Sequence, residues 1–298
     1  MPKIFVIGSS NTDMVVKSAK LPAPGETILG GQFLMNPGGK GANQAVAAAK
    51  LGAPVIFACK VGDDIFGKQA VEGFKAEGIN TDHIITDTEN PSGVALILVD
   101  DEGENSIAVA SGANGNLQVD ELKNVIARVQ EGDIVLLQLE VPISTVEYAI
   151  KACSEKGARV ILNPAPAANL SDAVFPYIDI ITPNETEAEL LTGIGVTDLQ
   201  SAGHAAIFLQ SKGVKNVIIT LGPKGAYVHN AFVQTLVPAP IVKAVDSTAA
   251  GDVFNGALAV ALYEGNDLET AALFACTVAS IAVTRMGAQA SAPRRHEL

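Results

Sequence analysis

Residues 117–140, LQVDELKNVIARVQEGDIVLLQLE, join a helical pattern to a short apolar run over 134–140 that ends on a charged residue. The same helix-then-strand unit recurs three times downstream, at residues 144–163, 170–184 and 199–222. Helical and apolar segments that alternate in this way are typical of βαβ units with right-handed crossovers. The chain is therefore predicted to have an α/β fold, built on a mostly parallel sheet with helices on both faces.

The N-terminal third of the chain carries shorter β patterns around one helix. Residues 3–8 are an apolar run that ends in glycine, as expected of a central strand, and residues 41–51 have a helical pattern. Residues 12–38 contain short alternating segments, and residues 92–111 contain two β runs joined by DDEGEN, which is a hairpin signal. We expect these two β segments to pair as a small sheet, or lid, that projects from the main body. A last helix is predicted over 267–285.

Composition limits the class of protein. The chain has 298 residues and a formal net charge of −12, and 48% of its residues are hydrophobic but only 5% aromatic. A single domain spanning residues 1–298 can bury about 75% of its unfolded surface in an aliphatic core. An acidic protein repels phosphate backbones, which argues against a nucleic-acid partner. No apolar run approaches the roughly 18 residues of a membrane span, and no basic leader precedes the first strand, so a cytoplasmic protein is expected.

The cysteines indicate a reducing compartment. Cys59, Cys153 and Cys276 are odd in number, widely spaced and set in apolar or helical surroundings. Such residues are usually small buried thiols instead of disulfide partners.

Polar residues follow the predicted parallel strands. They are Glu140, Asn163, Asn184 and Thr220. Ligands bind at the carboxyl edge of open parallel sheets, so this pattern predicts where a site lies. Polar residues also begin ordinary loops, and the pattern does not name the chemistry.

A turn of small residues, STAAG, precedes a helix predicted over 251–264. Ala249, Ala250 and Gly251 allow a tight turn, and the first N–H groups of the helix lack intrahelical acceptors, so the turn can hold an anion. Asp252 is either an ordinary capping carboxylate or a base beside a bound phosphate. The three small residues favour the second interpretation, which suits phosphoryl transfer to a hydroxyl group.

Residues 36–52, NPGGKGANQAVAAAKLG, place Gly39 and Gly41 in a turn before an Ala-rich helix. The segment lacks the spacing of a P-loop and of a dinucleotide-binding GxGxxG turn. Lys40 and Asn43 fall in the first helical turn. Backbone N–H groups, an ammonium group and an amide form a donor-rich pocket for sugar hydroxyls, whereas the alternative is a simple glycine-rich cap.

Three shorter segments have both a ligand-binding and a structural interpretation. Asn11 and Asp13 follow the first strand, and they are interpreted either as ligands of vicinal hydroxyls or as residues of an ordinary turn. Asn184 and Glu187 are three residues apart, as in a capping box or a water-mediated Mg²⁺ site. Residues 220–225, TLGPKG, form a turn whose glycines either admit a nucleotide or serve the turn alone.

Taken in order, GSSNTD, NPGGKGANQAV, ITPNETEAELLTG, ITLGPKG and DSTAAGDVFNG resemble the ribokinase-type carbohydrate kinase family. The resemblance spans essentially the whole chain, and GGKGANQA and AAGDVFNG are long enough to be specific. It implies a Rossmann-like three-layer α/β/α body with a small β-sheet lid, which often serves as the clasp of a homodimer. It also implies the use of ATP with Mg²⁺ and stimulation by a monovalent cation, usually K⁺.

The resemblance implies roles position by position. Sugar binding is implied for Asn11, Asp13, Gly39, Lys40, Asn43, Glu140 and Asp252. Asp252 is also implied as the base, with an anion hole formed by Ala249, Ala250 and Gly251. Contact with ATP is implied for Asn184, Thr220, Gly222, Gly225, Gly251 and Cys276, and ordering of Mg²⁺ through water for Glu187. The K⁺ site corresponds to Asp246, Thr248, Ala282, Arg285, Gly287 and Ser291.

The function that the resemblance implies is ATP-dependent phosphorylation of a small sugar, with O5 of D-ribose as the first choice. Alternatives on the same fold are 2-deoxyribose, fructose or a nucleoside, although a nucleoside needs an aromatic pocket and the lid segments offer only Phe33 and few other aromatics. A sugar-sensing binding protein predicts a broken catalytic set, yet Asp252 and its turn are intact. A Rossmann dehydrogenase is disfavoured because GSSNTD replaces GxGxxG after the first strand.

Overall fold

The computed structural model describes residues 2–298, which fold into alternating strands and helices. The strands are β1 (Ile4–Ile7), β2 (Asn11–Lys17), β3 (Gln32–Gly38), β4 (Val55–Gly62), β5 (Asn80–Asp87), β6 (Gly93–Val99), β7 (Asn105–Ala110), β8 (Ile134–Leu137), β9 (Arg159–Leu162), β10 (Ile180–Ile181), β11 (Asn216–Thr220), β12 (Ala226–His229) and β13 (Gln234–Val237). The helices are α1 (Lys40–Lys50), α2 (Ile65–Ala76), α3 (Val119–Arg128), α4 (Ile143–Ser154), α5 (Glu185–Thr192), α6 (Leu199–Ser211), α7 (Ala250–Tyr263) and α8 (Leu268–Ala282).

A nine-stranded sheet forms the centre of the molecule, in the order β13-β12-β11-β10-β9-β8-β1-β4-β5. Its pairings are parallel except those that β12 makes with β11 and β13. Both faces of the sheet are covered: in β1, Ile4 and Val6 belong to one apolar core, while Phe5 and Ile7 belong to the other. Helices α1, α7 and α8 pack on the first face and α3, α4 and α6 on the second. The predicted three-layer α/β/α architecture is confirmed.

A second, four-stranded sheet has the order β3-β2-β6-β7. Strand β2 pairs antiparallel with β3 and parallel with β6, so the predicted pairing of the two N-terminal β segments is confirmed. Only residues 8–10 separate β1 from β2. The small sheet therefore begins at the carboxyl end of the central strand, where the predicted ligand site lies.

Close packing of α1 against α7 brings two predicted motifs together. A Cβ atom added to Gly256 would lie 2.8 Å from the Cβ atom of Ala47 and 2.8 Å from the carbonyl oxygen of Gln44. Only glycine fits this contact, which lets the two helices approach closely. As a result, the first turn of α1 lies against the first turn of α7.

Several predicted element boundaries are wrong. The strand predicted over 134–140 stops at Leu137, so that Glu140 lies in the following loop. The helical pattern over 170–177 is a single 3₁₀ turn at Phe175–Tyr177. The reason is Pro176, which has no amide hydrogen to donate to a helical bond.

Other elements were shorter than expected or not predicted. The strand expected in residues 178–184 contains only Ile180–Ile181. No element was predicted between residues 52 and 91, where β4, α2 and β5 lie. Strand β5 is largely polar, and α2 contains two glycines, which weakens both patterns. None of the helices within residues 2–298 is long and apolar enough to span a membrane.

Candidate active site

A cleft of about 720 Å³ lies between the carboxyl edge of the large sheet and the small sheet. All residues predicted to bind sugar, phosphate, nucleotide or Mg²⁺ line it. They are Asn11, Asp13, Gly39, Lys40, Asn43, Glu140, Asn184, Glu187, Thr220, Gly222, Gly225, Ala249, Ala250, Gly251, Asp252 and Cys276. Segments far apart in the chain thus converge on one concave surface.

The start of α7 has the geometry of an anion site. Ala249 has a φ of 59° and a ψ of 15°, and it is the only non-glycine residue with positive φ in the part of the chain that the structure describes. This left-handed residue turns the chain sharply, and no side chain caps the helix. Within residues 2–298 the amides of Gly251 and Asp252 find no acceptor. Free N–H groups at a helix start bind anions, phosphate in particular.

Asp252 does not cap α7. Its side chain is 5% exposed, and its two oxygens accept hydrogen bonds of 2.9 Å from the Asn43 and Gln44 amides. Burial raises the pKa of Asp252, while nearby Lys40 and the two amides act in the opposite direction. A raised pKa makes the carboxylate a stronger base, and the residue faces the cleft beside the free amides.

The end of the cleft under β2 is rich in polar groups. Oδ1 of Asn11 accepts a 2.8 Å hydrogen bond from Asn114, and a Glu140 oxygen accepts a 2.9 Å bond from the backbone N–H of Lys40. Oδ1 of Asn43 is buried and has no hydrogen-bond partner within residues 2–298. A buried acceptor without a donor is costly, so this oxygen points to a ligand hydroxyl.

The backbone at the polar end of the cleft requires glycine at position 39. Its φ is 89°, and an added Cβ atom would lie 2.7 Å from the backbone nitrogen of Asn11. The glycine lets the turn before α1 pass against β2, which sets Asn43 opposite Asn11 and Asp13.

The half-buried ammonium group of Lys40 interacts electrostatically with four acidic side chains of the cleft. Burial alone would lower the pKa of Lys40, but Asp252, Glu140, Glu187 and Asp13 raise it. Burial, together with the negative charges of Glu140 and Asp252, raises the pKa of Asp13 to about 6. The site therefore balances one cation against several carboxylates before any ligand binds.

The raised pKa of Asp13 predicts a pH-dependent stability. The folded protein prefers the protonated form of Asp13, so protonation of this side chain stabilises the fold. This contribution to the free energy of unfolding is complete below the ordinary pKa of 3.8 and is lost as the pH rises through about 6. We expect Asp13→Asn to raise the free energy of unfolding of the ligand-free protein at pH 8 by about 1–3 kcal/mol. Urea unfolding at pH 8 and pH 4 measures this difference, which should nearly vanish at pH 4. Asp101→Asn, in an exposed loop, is the control, and an equal gain for Asp13→Asn at both pH values would contradict the prediction.

The opposite end of the cleft holds the other predicted motifs. Asn184 and Glu187 form a reciprocal capping box at the start of α5, so the structural interpretation of this pair is confirmed. Both also line the cleft, and burial raises the pKa of Glu187. Thr220 and Asn184 form an isolated parallel β-bridge, which places the end of β11 beside this helix start. Cys276 on α8 is buried, and burial raises the pKa of its thiol to about 11, so it contributes packing and no charge.

Phe33, the aromatic residue expected of the lid, does not contribute to the cleft wall. Phe33 is 61% exposed and lies outside the lining, whereas the small sheet contributes the aliphatic residues Ile97, Ile107 and Val109. Among residues 2–298 the one aromatic side chain that lines the cleft is the buried Phe254.

Of the residues predicted to hold K⁺, Thr248 lines the cleft and the others lie outside its lining. The Asp246 carboxylate accepts hydrogen bonds of 2.9 Å from the backbone N–H groups of Thr248 and Gly287. The Ala282 carbonyl accepts a hydrogen bond from the backbone N–H of Arg285. Ser291, six residues further along the chain, is buried. Hydrogen bonds therefore link part of the predicted set. Within residues 2–298 no three His, Cys, Asp or Glu side chains converge as metal ligands.

Several residues of the site were not predicted from the sequence. Gln138 and Thr182 directly follow β8 and β10, as Asn163 follows β9, and all three are buried. Gln44 is fully buried beside Asp252. A sharper estimate of the strand ends would have found Gln138 and Thr182, but Gln44 sits in an Ala-rich helix with no distinguishing pattern.

The open, mostly parallel sheet has a polar cleft at its carboxyl edge, and that cleft holds a buried carboxylate beside a helix start with free amides. This arrangement is compatible with phosphoryl transfer to a sugar hydroxyl. The sequence model of the pfkB family carbohydrate kinases matches residues 1–295, and the chain belongs to this family.

Relatives and solved structures agree with this assignment. A ribokinase of Haemophilus influenzae is 46% identical over 99% of this chain and 96% of its own length. A deoxyribokinase of Salmonella typhi is 40% identical over 97% of this chain and 95% of its own length. The structure of an Arabidopsis thaliana ribokinase complexed with ribose and ATP superposes with a TM-score of 0.89 at 35% identity, covering 99% of this chain and 96% of that one.

Proposed function

We propose that this protein transfers the γ-phosphoryl group of ATP to O5 of D-ribose, giving ribose 5-phosphate and ADP. The observation that carries the proposal is the buried Asp252 carboxylate beside the free amides of Gly251 and Asp252. A base and an anion-binding backbone at the same helix start supply the two elements that phosphoryl transfer to an alcohol needs. The names of the similar proteins, a ribokinase among them, support this substrate.

Ribose would bind at the polar end of the cleft. Asn11, Asp13 and Glu140 offer acceptors for its hydroxyls, and the unpartnered Oδ1 of Asn43 would accept a hydrogen bond from a further hydroxyl. Lys40 and the turn at Gly39 add donors. The sugar is held with its primary hydroxyl group toward Asp252.

The chemical step would take place at the start of α7. Asp252 accepts the proton of the O5 hydroxyl while O5 forms a bond to the γ-phosphorus atom, and the bond to the β,γ-bridging oxygen of ATP breaks. The electron pair leaves with ADP. The amides of Gly251 and Asp252, in the turn made by Ala249 and Ala250, stabilise the charge on the transferring group because they are oriented in advance.

ATP would occupy the other end of the cleft. The residues that line that end and would contact the nucleotide are Asn184, Thr220, Gly222, Gly225 and Cys276. Gly225 has a φ of 107°, and an added Cβ atom would clash with the Val237 carbonyl, so glycine packs this turn against the end of β13. Gly222 has a φ of 55° and open space around it, which leaves room for a ligand.

Mg²⁺ fits the residues at this end. Glu187 keeps an acidic side chain at the cleft surface, and carboxylate oxygen bound through water is the usual protein contribution to Mg²⁺ beside nucleotide phosphates. Bound there, the ion neutralises phosphate charge.

A K⁺ site is assigned to Asp246, Thr248, Ala282, Arg285, Gly287 and Ser291. The donors would be mainly backbone carbonyl oxygens with the Asp246 carboxylate, a set that suits a hard cation. Burial opposes ionisation of Asp246, but hydrogen bonds from Thr248 and Gly287 lower its pKa, so the charge is available. A cation there would support the Ala249 turn from behind.

The small sheet would act as a lid over the cleft and as the interface of a homodimer. The enzyme itself would be cytoplasmic. The strand register places Asp13, Ala95 and Val109 on the cleft face, where they exclude water from the reaction. On the other face, Met14 lies opposite Met35 and Leu96, and the last two are 47% and 55% exposed. A second copy of the chain that packs on this apolar row would bury it.

Charge on this row should disrupt the dimer. We expect the wild-type protein to sediment as a dimer and the double variant Met35→Glu, Leu96→Glu as a monomer, because burying two carboxylates costs several kcal/mol each. Sedimentation velocity measures this. The control is Leu190→Glu, which charges an exposed side chain of α5 instead. A wild-type monomer at micromolar concentration, or a dimeric double variant, would rule out this contact.

A deoxyribokinase at 40% identity makes 2-deoxyribose the second candidate substrate. A site that hydrogen-bonds each hydroxyl rejects the analogue that lacks one, because a buried polar group is left unpaired. We expect kcat/KM for ribose to exceed that for 2-deoxyribose by at least about tenfold, with fructose and adenosine lower still. A coupled assay of ADP release across the four compounds decides this, and a preference for any of the other three would overturn the ribose assignment. Calorimetric binding of ribose without ATP turnover would instead favour a sugar sensor.

A further inference from the structure

A buried row of polar side chains lies directly beneath Asp252. Gln44 on α1 is fully buried, and its Nε2 group donates to Oδ1 of Asp252 at 2.9 Å and to Oδ1 of Asn163 at 3.0 Å. Its Oε1 atom accepts a 2.6 Å bond from Nε2 of Gln138. Because a carboxylate only accepts hydrogen bonds, the donor side of the Gln44 amide faces Asp252 and its oxygen side faces Gln138.

The row continues from Asn163 to the phosphate-binding turn. Nδ2 of Asn163 donates to the Thr182 carbonyl at 3.3 Å, and the Thr182 hydroxyl donates to Oδ1 of Asn255 at 2.7 Å. Nδ2 of Asn255 in turn donates to the Gly251 carbonyl at 2.8 Å. The base and the turn that would hold the phosphoryl group are thus joined through side chains as well as along the helix.

The row is anchored at the carboxyl edge of the large sheet. Gln138, Asn163 and Thr182 are the first residues after β8, β9 and β10, which are neighbours in the large sheet. All three are at most 6% exposed. Supporting groups on packed elements hold a reactive group more accurately than groups on loops do.

We propose that Gln44 is a positioning residue, which fixes the Asp252 carboxylate and, through Asn163, Thr182 and Asn255, keeps it aligned with the Gly251 turn. The inference rests on the proposed function, because it gives Asp252 the role of base. Asn43 holds the other carboxylate oxygen at 2.9 Å but also faces the sugar end of the cleft. Gln44 has no surface in the cleft, so its hold on Asp252 does not depend on substrate.

Loss of this bond changes the titration of Asp252 as well as its position. A hydrogen bond to the ionised form of a carboxylate favours that form, and the Gln44 amide lowers the pKa of Asp252 against the effect of burial. The charged groups that face Asp252 from other elements are Lys40 of α1, Glu140 after β8, Asp13 of β2 and Glu187 of α5. All four are unchanged when Gln44 is replaced.

The test is Gln44→Met, which keeps the size of the side chain and removes its donor. The measurement is the single-turnover rate of ribose phosphorylation between pH 5 and 9 at saturating ribose, ATP and Mg²⁺. We expect a rate about 10- to 100-fold lower at pH 7, since small displacements of a reactive group cost that much. We also expect the acid limb of the profile to move about 1 pH unit upward, the size of one hydrogen bond to a charged group, while KM for ribose stays within about threefold.

The matched control is Thr145→Val, which removes another buried hydrogen bond, 2.8 Å long, to the carbonyl of Leu117 on the far face of the sheet. It should lose stability and keep the wild-type pH profile. If Gln44→Met does not fold, Gln44→Asn gives the same reading, because the amide that remains is too short to reach Asp252 and the donor is again withdrawn.

The outcomes separate the two claims. A wild-type enzyme that leaves ribose unphosphorylated overturns the proposed function and the inference with it. A wild-type enzyme that phosphorylates ribose, together with a Gln44 variant whose rate or acid limb is unchanged, overturns the inference alone. A slower variant with a shifted limb supports it.

Discussion

Asp252→Asn is expected to lower kcat for ribose phosphorylation by about 10²- to 10⁴-fold, the usual range for loss of a general base. The amide cannot accept the O5 proton, but it has the same shape and keeps an oxygen for one of the bonds from Asn43 and Gln44. KM for ribose should change by less than about tenfold, because the other sugar-binding groups remain. Steady-state ADP release and calorimetric ribose binding measure the two quantities.

Stability is the control for this variant. A buried ionised carboxylate is costly, so the neutral amide should not reduce the free energy of unfolding at pH 8, even though one donor loses its acceptor. A variant that folds normally and turns over at a near wild-type rate would remove Asp252 from the mechanism. A variant that loses ribose binding in proportion to activity would make Asp252 a binding residue only.

Ala249→Val is expected to lower kcat by about 10²-fold or more, because it disrupts the turn that holds the Gly251 and Asp252 amides. Ala249 has a φ of 59°, and a β-branched residue in this region is strained by about 1–3 kcal/mol. The chain relieves the strain by opening the turn, which moves the donors away from the transferring group. Rates with ribose and with ATP alone, together with urea unfolding, would measure the effect.

Ala249→Gly is the matched comparison. Glycine relieves about 1–2 kcal/mol of left-handed strain and loses about 0.4–1 kcal/mol through the freedom of the unfolded chain. The net change should be a small gain in stability with kcat within about threefold of wild type. Equal activity of the valine and glycine variants would show that the shape of the turn is unimportant.

Much of the site could be predicted because its chemistry is carried by local motifs. The small residues before α7 predict a sharp turn, and the polar residues after the strands predict the edge of the sheet where a ligand binds. The convergence of Asn11, Lys40, Glu140 and Asp252 on one cleft follows from the parallel topology, which the alternation of helices and strands predicts.

What the sequence could not supply depends on contacts between distant segments. Gln44 reaches Asp252 only because Gly256 lets α1 and α7 approach closely, and no pattern within α1 marks it. The role of Gln138 was hidden because β8 was predicted to run to Glu140, three residues past its end. The left-handed conformation of Ala249 is set by the surrounding structure against the preference of alanine. Such features appear only once the elements are packed.

At the start of α7, a buried carboxylate and free amides are proposed to act on one alcohol and one phosphate. A crystal structure with ribose and a non-hydrolysable ATP analogue tests it most directly. The account predicts O5 of ribose within about 3.2 Å of an Asp252 oxygen, with the γ-phosphate against the amides of Gly251 and Asp252. Ribose bound with O5 turned away from Asp252, or a γ-phosphate held elsewhere in the cleft, would contradict it.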